Sequence, residues 1–266
     1  MKKIGFIGAG NMGYPLLCGA IRTFGREQVI FRCAHEEKNN KLKEELSVLP
    51  ASSLKELVKD AQILILAVKP QFFEEIFGEI KEEITENHVI VSLAPGITIA
   101  YIKQLTGNKA CVVRTMPNTP AMVGEGMTAV CFGEQQPNEE IRKDIIQLFE
   151  EVGKVILLPE RLMDTAVVAS GSSPAFLYLF MEALADGAVK YGISREQAYE
   201  MVAQTMIGAG KMLLETKEHP GKLKDNVCSP GGTTIAGVAA LEENGFRNAV
   251  LKACDACYEK ALKMKK

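Results

Sequence analysis

The stretch KIGFIGAGNMG, residues 3–13, decides the fold. An apolar run, Lys3–Ile7, passes straight into glycines spaced G-x-G-x-x-G, and a helical pattern to about Phe24 follows. Strand, tight turn and helix is the context in which this spacing binds a dinucleotide. Gly8 permits the turn, Gly10 lets backbone approach a pyrophosphate, and Gly13 lets helix and strand pack closely. The helix start offers free N–H groups and the positive end of its dipole. Gly8, Ala9, Gly10, Asn11, Met12 and Gly13 are therefore the expected phosphate cradle.

Outward from this turn, strands and helices alternate. Val29–Cys33 is strand-like and KNNKLKEEL is helical. ILILAV at 63–68 is unbroken and β-branched, as in a parallel strand covered on both faces. A helix near Phe72–Ile84, strands at Val89–Leu93, Cys111–Arg114 and 127–132, a helix at 138–151 and a strand at 155–158 complete the series. This repetition predicts a Rossmann-type, doubly wound α/β sheet over residues 1–159. After Pro159 the alternation stops. Segments 161–170, 174–191, 195–215 and 233–263 are rich in Ala, Met, Leu and Gly, which predicts an all-α domain over 160–266. Several of these helices are apolar on more than one face and must be covered. So short a domain has little interior to cover them, which predicts packing against a second copy.

Composition narrows the classes. Hydrophobic residues are 47% and charged residues 24%, ordinary for a globular protein with a real core. A net charge of −2 gives no basic footprint for nucleic acid. No apolar run reaches the ~18 residues of a membrane span, so no membrane partner is expected. MKKIGFIGAG pairs lysines with apolar residues as a secretory leader does, but glycines interrupt the run too early, and a cytoplasmic location is expected. The seven cysteines are odd in number and scattered, unlike a disulfide framework. Cys254 and Cys257 have C-x-x-C spacing without a second pair or a nearby His, so no metal is expected.

The second strand carries the choice of dinucleotide. NAD binders place a carboxylate at its end for the ribose 2′-hydroxyl. Here Arg32 and His35 come first and Glu36 and Glu37 slightly late, which favours NADPH, with NADH as the alternative. Ala67-Val68-Lys69-Pro70 and Ser92-Leu93-Ala94-Pro95-Gly96 sit at carboxyl ends of strands, where such folds bind ligands. Val68, Lys69, Pro70 and Ala94 are therefore candidate cofactor residues. Asn118 joins them, in a loop stiffened by Pro117 and Pro120.

With these pieces in order, the chain resembles a pyrroline-5-carboxylate reductase, over nearly its whole length. GFIGAGNMG, LAVKPQ, SLAPGIT, RTMPNTPAMVGEGMTA, ASGSSPAFLY and HPGKLKDNVCSPGGTTIAGVAALE carry the likeness. The last stretch is specific to that family; the first is shared by many Rossmann enzymes. The resemblance implies reduction of L-1-pyrroline-5-carboxylate to L-proline by hydride transfer from NAD(P)H. It also implies an interlocked homodimer built from the helical domains, which in such families assembles further, as in a decamer. Thr234 corresponds to the threonine beside the imine nitrogen. Thr233 falls on the neighbouring substrate position, Asn226 on a residue touching substrate and cofactor, and Glu160 on a substrate-contacting acid. Gly231 and Gly232 let the main chain of SPGGTT approach the substrate carboxylate at a helix start. The chain reads Ser173 and Phe176 where relatives commonly have Gly and Tyr; Ser173 would be strained if that position needs a positive φ.

Three rival readings share parts of this pattern. A 3-hydroxyacid dehydrogenase of the 6-phosphogluconate type needs a catalytic lysine after a GSG-like turn, and GSSPAFLYLF has none. A catalytically weak NADP(H)-binding regulatory protein would tolerate Ser173 but has no need of GGTT and Asn226. A reductase of another imine would keep both.

Overall fold

A computed structural model describes residues 2–266. Two compact units emerge: Met1–Pro174 joined by Cys257–Lys266, and Ala175–Ala256.

The first unit holds one seven-stranded sheet: β1 (Lys2–Ile7), β2 (Val29–Arg32), β3 (Ala61–Leu66), β4 (Val89–Ser92), β5 (Cys111–Met116), β6 (Gly126–Cys131) and β7 (Gly153–Leu157). Its order is β2-β1-β3-β4-β5-β6-β7. Around it lie α1 (Gly13–Phe24), α2 (Glu36–Leu46), α3 (Leu54–Asp60), α4 (Phe73–Ile80), α5 (Ile99–Leu105) and α6 (Glu139–Glu150). Strands β1 to β5 are parallel, with Phe6 level with Phe31 on one side and Ile65 on the other. Every residue of β3 but Gln62 is buried, as expected of a strand covered on both faces.

Two features depart from the sequence expectation. The doubly wound sheet is not wholly parallel: β6 runs antiparallel to β5, and β7 parallel to β6. The segment between β5 and β6 holds a short 3₁₀ turn, Thr119–Val123, and no crossover helix, and a parallel return needs a dozen or more residues. Helices α3 and α5 were not expected. Each is seven residues long and starts on a capping side chain: Ser53 Oγ accepts from Glu56 N–H at 3.1 Å, and Thr98 Oγ1 from Tyr101 N–H at 3.1 Å.

A charged group is buried where the helical part begins. From Glu160 to Lys190 the chain is helical throughout, as a 3₁₀ turn, α7 (Met163–Ala166), a π-helical stretch Val167–Ser172 and α8 (Ser173–Lys190). Asp164 on α7 is 3% exposed and sits 2.5 Å from the guanidinium of Arg114, itself 2% exposed. Glu160 Oε1 accepts from Ile99 N–H at 2.8 Å, so it caps the start of α5, and lies 3.8 Å from Arg114. Lys265 adds a second cation 3.4 Å from Asp164. Residues 264–266 strap this region: Lys266 N–H donates to Gly96 O at 2.8 Å, and its carbonyl accepts from Thr98 N–H at 3.1 Å.

The second unit is helical: the rest of α8, then α9 (Arg195–Thr216), α10 (Pro220–Val227), α11 (Thr233–Glu243) and most of α12 (Phe246–Lys263). The expected single segment over 233–263 is broken at Asn244–Gly245, where Gly245 has φ 73°. Its core is small, with Ala185, Ala198 and Val202 buried, while Leu177, Tyr178, Leu179, Leu184, Met201 and Leu214 are exposed. Helix Glu160–Lys190 is long and apolar enough, by length and composition, to cross a membrane. This corrects the expectation of no membrane-length apolar segment: small and polar residues such as Ser170, Gly171 and Ser172 interrupt the run, but the mean hydropathy still reaches 1.3.

Asp164→Ala leaves the buried Arg114 guanidinium without its nearest anion. Loss of one partner of a buried ion pair costs about 3–5 kcal/mol, so the urea midpoint should fall sharply. An unchanged midpoint would show that Glu160 alone suffices as counter-ion.

Candidate active site

Two sites are built locally, one in each unit. In the first, the carboxyl ends of four parallel strands are joined side by side. Gly8 N–H donates to Arg32 O at 2.8 Å, Ala67 N–H to Ile7 O at 2.9 Å, and Leu93 N–H to Leu66 O at 3.3 Å. The loops holding Gly8–Gly13, Val68–Pro70 and Ala94 therefore leave the sheet as neighbours. This brings together the sequence-predicted cofactor residues of those loops.

Each glycine of the turn does what its place demands. Gly8 has φ 90°, and a Cβ there would lie 2.8 Å from Ala67 O. A Cβ on Gly13 would lie 2.6 Å from Ala67 Cβ and 2.9 Å from Gly8 O. A Cβ on Gly10 would meet nothing within 4 Å, so open space lies before the turn. Helix α1 has no side-chain cap and no acidic residue in its first turn. Its N–H groups and dipole stay available for an anion. These residues fit the pyrophosphate of a dinucleotide. Lys69 is exposed beside this turn and makes no ion pair among the described residues, whereas Ala94 is buried.

Asn118 differs from its neighbours. It is 8% exposed, and both ends of its amide are engaged. Nδ2 donates to Ser170 O at 3.0 Å and Oδ1 accepts from Met127 N–H at 2.8 Å. It ties the β5–β6 connection to the π-helical stretch, a feature frequent near functional sites. The strain considered for Ser173 is absent. Its φ is −55°, ordinary helix, and its hydroxyl donates to Ala169 O at 2.9 Å.

The adenosine end also differs from the sequence reading. Arg32 is not free: it donates to Ala51 O at 3.2 Å and pairs with Glu36 at 3.0 Å. His35 is exposed at the start of α2. Sequence reasoning missed Asn39, which is fully buried and bonds both main-chain groups of Cys33, at 2.8 and 3.1 Å. An asparagine seven residues past a strand end is a weak signal in a polar helix.

In the second unit, SPGGTT opens α11. Gly231 has φ 68° with open space around its Cβ position, and Gly232 is the N-cap residue. No side chain caps this helix, and its first turn holds no acid. Thr234 is therefore not the cap. Thr234 is half-buried and its hydroxyl has no partner among the described residues, while Thr233 is exposed. Asn226 is exposed near the end of α10. Glu160 belongs to the first unit, where its carboxylate caps α5.

Comparison with known proteins supplies the chemistry this geometry serves. Residues 160–264 match the family profile described as pyrroline-5-carboxylate reductase dimerisation. Residues 3–96 match one described as NADP oxidoreductase, coenzyme F420-dependent. The chain is 41% identical over 268 residues to the pyrroline-5-carboxylate reductase of Escherichia coli K12, covering 100% of this chain and 99% of that one. A pyrroline-5-carboxylate reductase from Coxiella burnetii superposes with a TM-score of 0.91 at 31% identity, covering 100% and 99% of the two chains. A pyrroline carboxylate reductase from Plasmodium falciparum, solved with NADP bound, gives 0.88 at 32% identity, covering 100% and 98%.

The three glycines separate under substitution. Gly10→Ala should fold normally yet weaken NADPH binding about tenfold or more, some 1.4 kcal/mol, because its methyl group enters the open approach. Gly13→Ala should instead lose about 1–3 kcal/mol of stability through overpacking against Ala67. Calorimetric titration beside thermal melts distinguishes them; equal binding by Gly10→Ala would mean that the phosphates lie elsewhere.

Proposed function

From the premise that this chain belongs to the pyrroline-5-carboxylate reductase family, we propose how its own residues carry the reaction. The protein is an NAD(P)H-dependent oxidoreductase that reduces L-1-pyrroline-5-carboxylate to L-proline, the last step of proline biosynthesis. The observation that carries the reading is identity of 41% over an alignment that covers the whole chain.

Gly8–Gly13, flanked by Val68, Lys69, Pro70 and Ala94, would hold the cofactor, which would supply the hydride for the imine carbon. The substrate carries a carboxylate beside a C=N bond. Free N–H groups at the start of α11, with the helix dipole behind them, suit the carboxylate. Gly231 and Gly232 keep that approach clear of side chains. The Thr234 hydroxyl, without a partner of its own among the described residues, accepts a hydrogen bond from the N–H of the protonated imine and so favours that electron-poor form. As hydride reaches carbon, the nitrogen lone pair re-forms and the added proton stays on nitrogen. Thr233, Asn226 and Glu160 complete the substrate contacts in this proposal, and Asn226 also touches the cofactor. Asn118 acts through the backbone it fixes.

A regulatory, non-catalytic role lost its support when Ser173 proved unstrained. The chain self-associates through its helical domain. We place the boundary of that domain at 159/160, supported by a family match that begins at residue 160. A homodimer would cover Leu177, Leu179 and their exposed neighbours, and assembly of dimers into a larger ring such as a decamer is the finer proposal. We assign the enzyme to the cytoplasm, as a small-molecule reductase with no nucleic-acid or membrane partner.

With NADPH and pyrroline-5-carboxylate, wild type should oxidise the cofactor and form proline. Thr234→Ala should lower kcat about a hundredfold, the scale for one lost transition-state hydrogen bond, with an unchanged melting temperature. Wild-type turnover by a pure sample of that variant would remove Thr234 from the mechanism.

A further inference from the structure

Glu36 opens α2, four residues beyond Arg32 at the end of β2. Its Oε2 is held by two donors. Arg32 Nη1 lies 3.0 Å away and Asn39 Nδ2 donates at 3.3 Å. Asn39 is itself locked to Cys33 on both sides, so the carboxylate is aimed by a buried residue. Among the described residues no partner takes the second oxygen, Oε1. A carboxylate beyond the second strand of such a sheet accepts a hydrogen bond from the adenosine ribose 2′-hydroxyl.

We infer that Arg32, Glu36 and Asn39 form a 2′-hydroxyl site, so that this chain binds NADH at least as tightly as NADPH. The inference rests on the reductase reading of the same glycine turn and assigns its adenosine end. A 2′-phosphate carries roughly −1.5 to −2 charge near neutral pH. Placed here it meets the Glu36 carboxylate. To gain Arg32 it must displace both the Glu36 carboxylate and the Ala51 carbonyl. The Arg32 side chain is only 24% exposed, so the pair it makes is screened less than one in open solvent. The 2′-hydroxyl needs no such exchange: it donates to Oε1 while Arg32 and Asn39 hold Oε2. The arginine that favoured NADPH in the sequence is thus already occupied by a carboxylate.

The test is calorimetric titration of the cofactor-free protein with adenosine 5′-monophosphate and adenosine 2′,5′-bisphosphate, with NADH and NADPH as the full ligands. The readout is the ratio of the two half-ligand affinities. In wild type the bisphosphate should bind no tighter than the monophosphate. Glu36→Gln, which keeps the shape and removes the charge, should raise the bisphosphate about tenfold relative to the monophosphate. Arg32→Gln added to it should abolish that gain. A wild-type preference for the bisphosphate above about threefold overturns the inference and puts the phosphate on another cation such as His35 or Lys38. So does a ratio that Glu36→Gln leaves unchanged or lowers. Binding of neither half-ligand strikes at the dinucleotide site itself, whereas a reversed ratio with intact proline formation sinks only the selectivity.

Discussion

Three main-chain hydrogen bonds, from Gly8 to Arg32, Ala67 to Ile7 and Leu93 to Leu66, hold the carboxyl ends of β2, β1, β3 and β4 in one line. The cofactor side of the molecule depends on them. A parallel strand delivers its following loop to the same edge as its neighbour's, so the order β2-β1-β3-β4 gathers loops from residues 8, 67 and 93 without any long-range side-chain contact. Gly13 then lets α1 sit against Ala67, and α1 brings its uncapped N-terminus to that edge. A larger residue at 13 would push the helix away and tilt the N–H groups from the ligand. Packing and anion binding are therefore one constraint in this turn.

The helical unit obeys a different rule. Its helices are apolar on several faces, yet Ala185, Ala198 and Val202 are its buried core. A unit with so small an interior is marginal by itself, because short chains bury too little of their surface. Exposed leucines and methionines on α8 and α9 would supply the missing apolar area in the proposed dimer. Both the membrane-length hydropathy of Glu160–Lys190 and its low burial follow from that design.

Much of this was legible in the sequence, and the failures have physical causes. The glycine turn and the switch to helices after Pro159 carry strong local signals and fell where expected, and β3 fell two residues earlier than its apolar run suggested. Helices α3 and α5 are too short for hydrophobic periodicity to register, although Ser53 with Glu56, and Thr98, mark their starts. The reversal at β6 is a matter of connection length, which a strand-by-strand reading does not weigh. The break at Gly245 hides because helix propensity is high on both sides. At the sites, the helix start at Gly231 and Gly232 could be read from type and spacing, whereas the role of Thr234 came from the family resemblance. Asn39 and the true partner of Arg32 could not, since both depend on how α2 folds back on β2.

Glu160 shows how one residue can serve two levels of the structure. The resemblance gives it a substrate contact, while the fold uses Oε1 to cap α5 at 2.8 Å and sets it 3.8 Å from Arg114 Nη1, a buried nitrogen without a hydrogen-bond partner. Leaving a buried cationic N–H unpaired is costly, and the nearest anions are Glu160 and Asp164. A carboxylate in that position is held on one side by a helix start and drawn on the other by a guanidinium. It has little rotational freedom left to lose on meeting a ligand. The same Arg114 and Asp164 link β5 to α7, and Lys265 ties in the strap over Gly96. Loop 94–98 beside the cofactor edge and the entry to the helical segment are thus fixed by a single buried charge cluster. That cluster couples the shape of the cofactor edge to residues far from it in sequence.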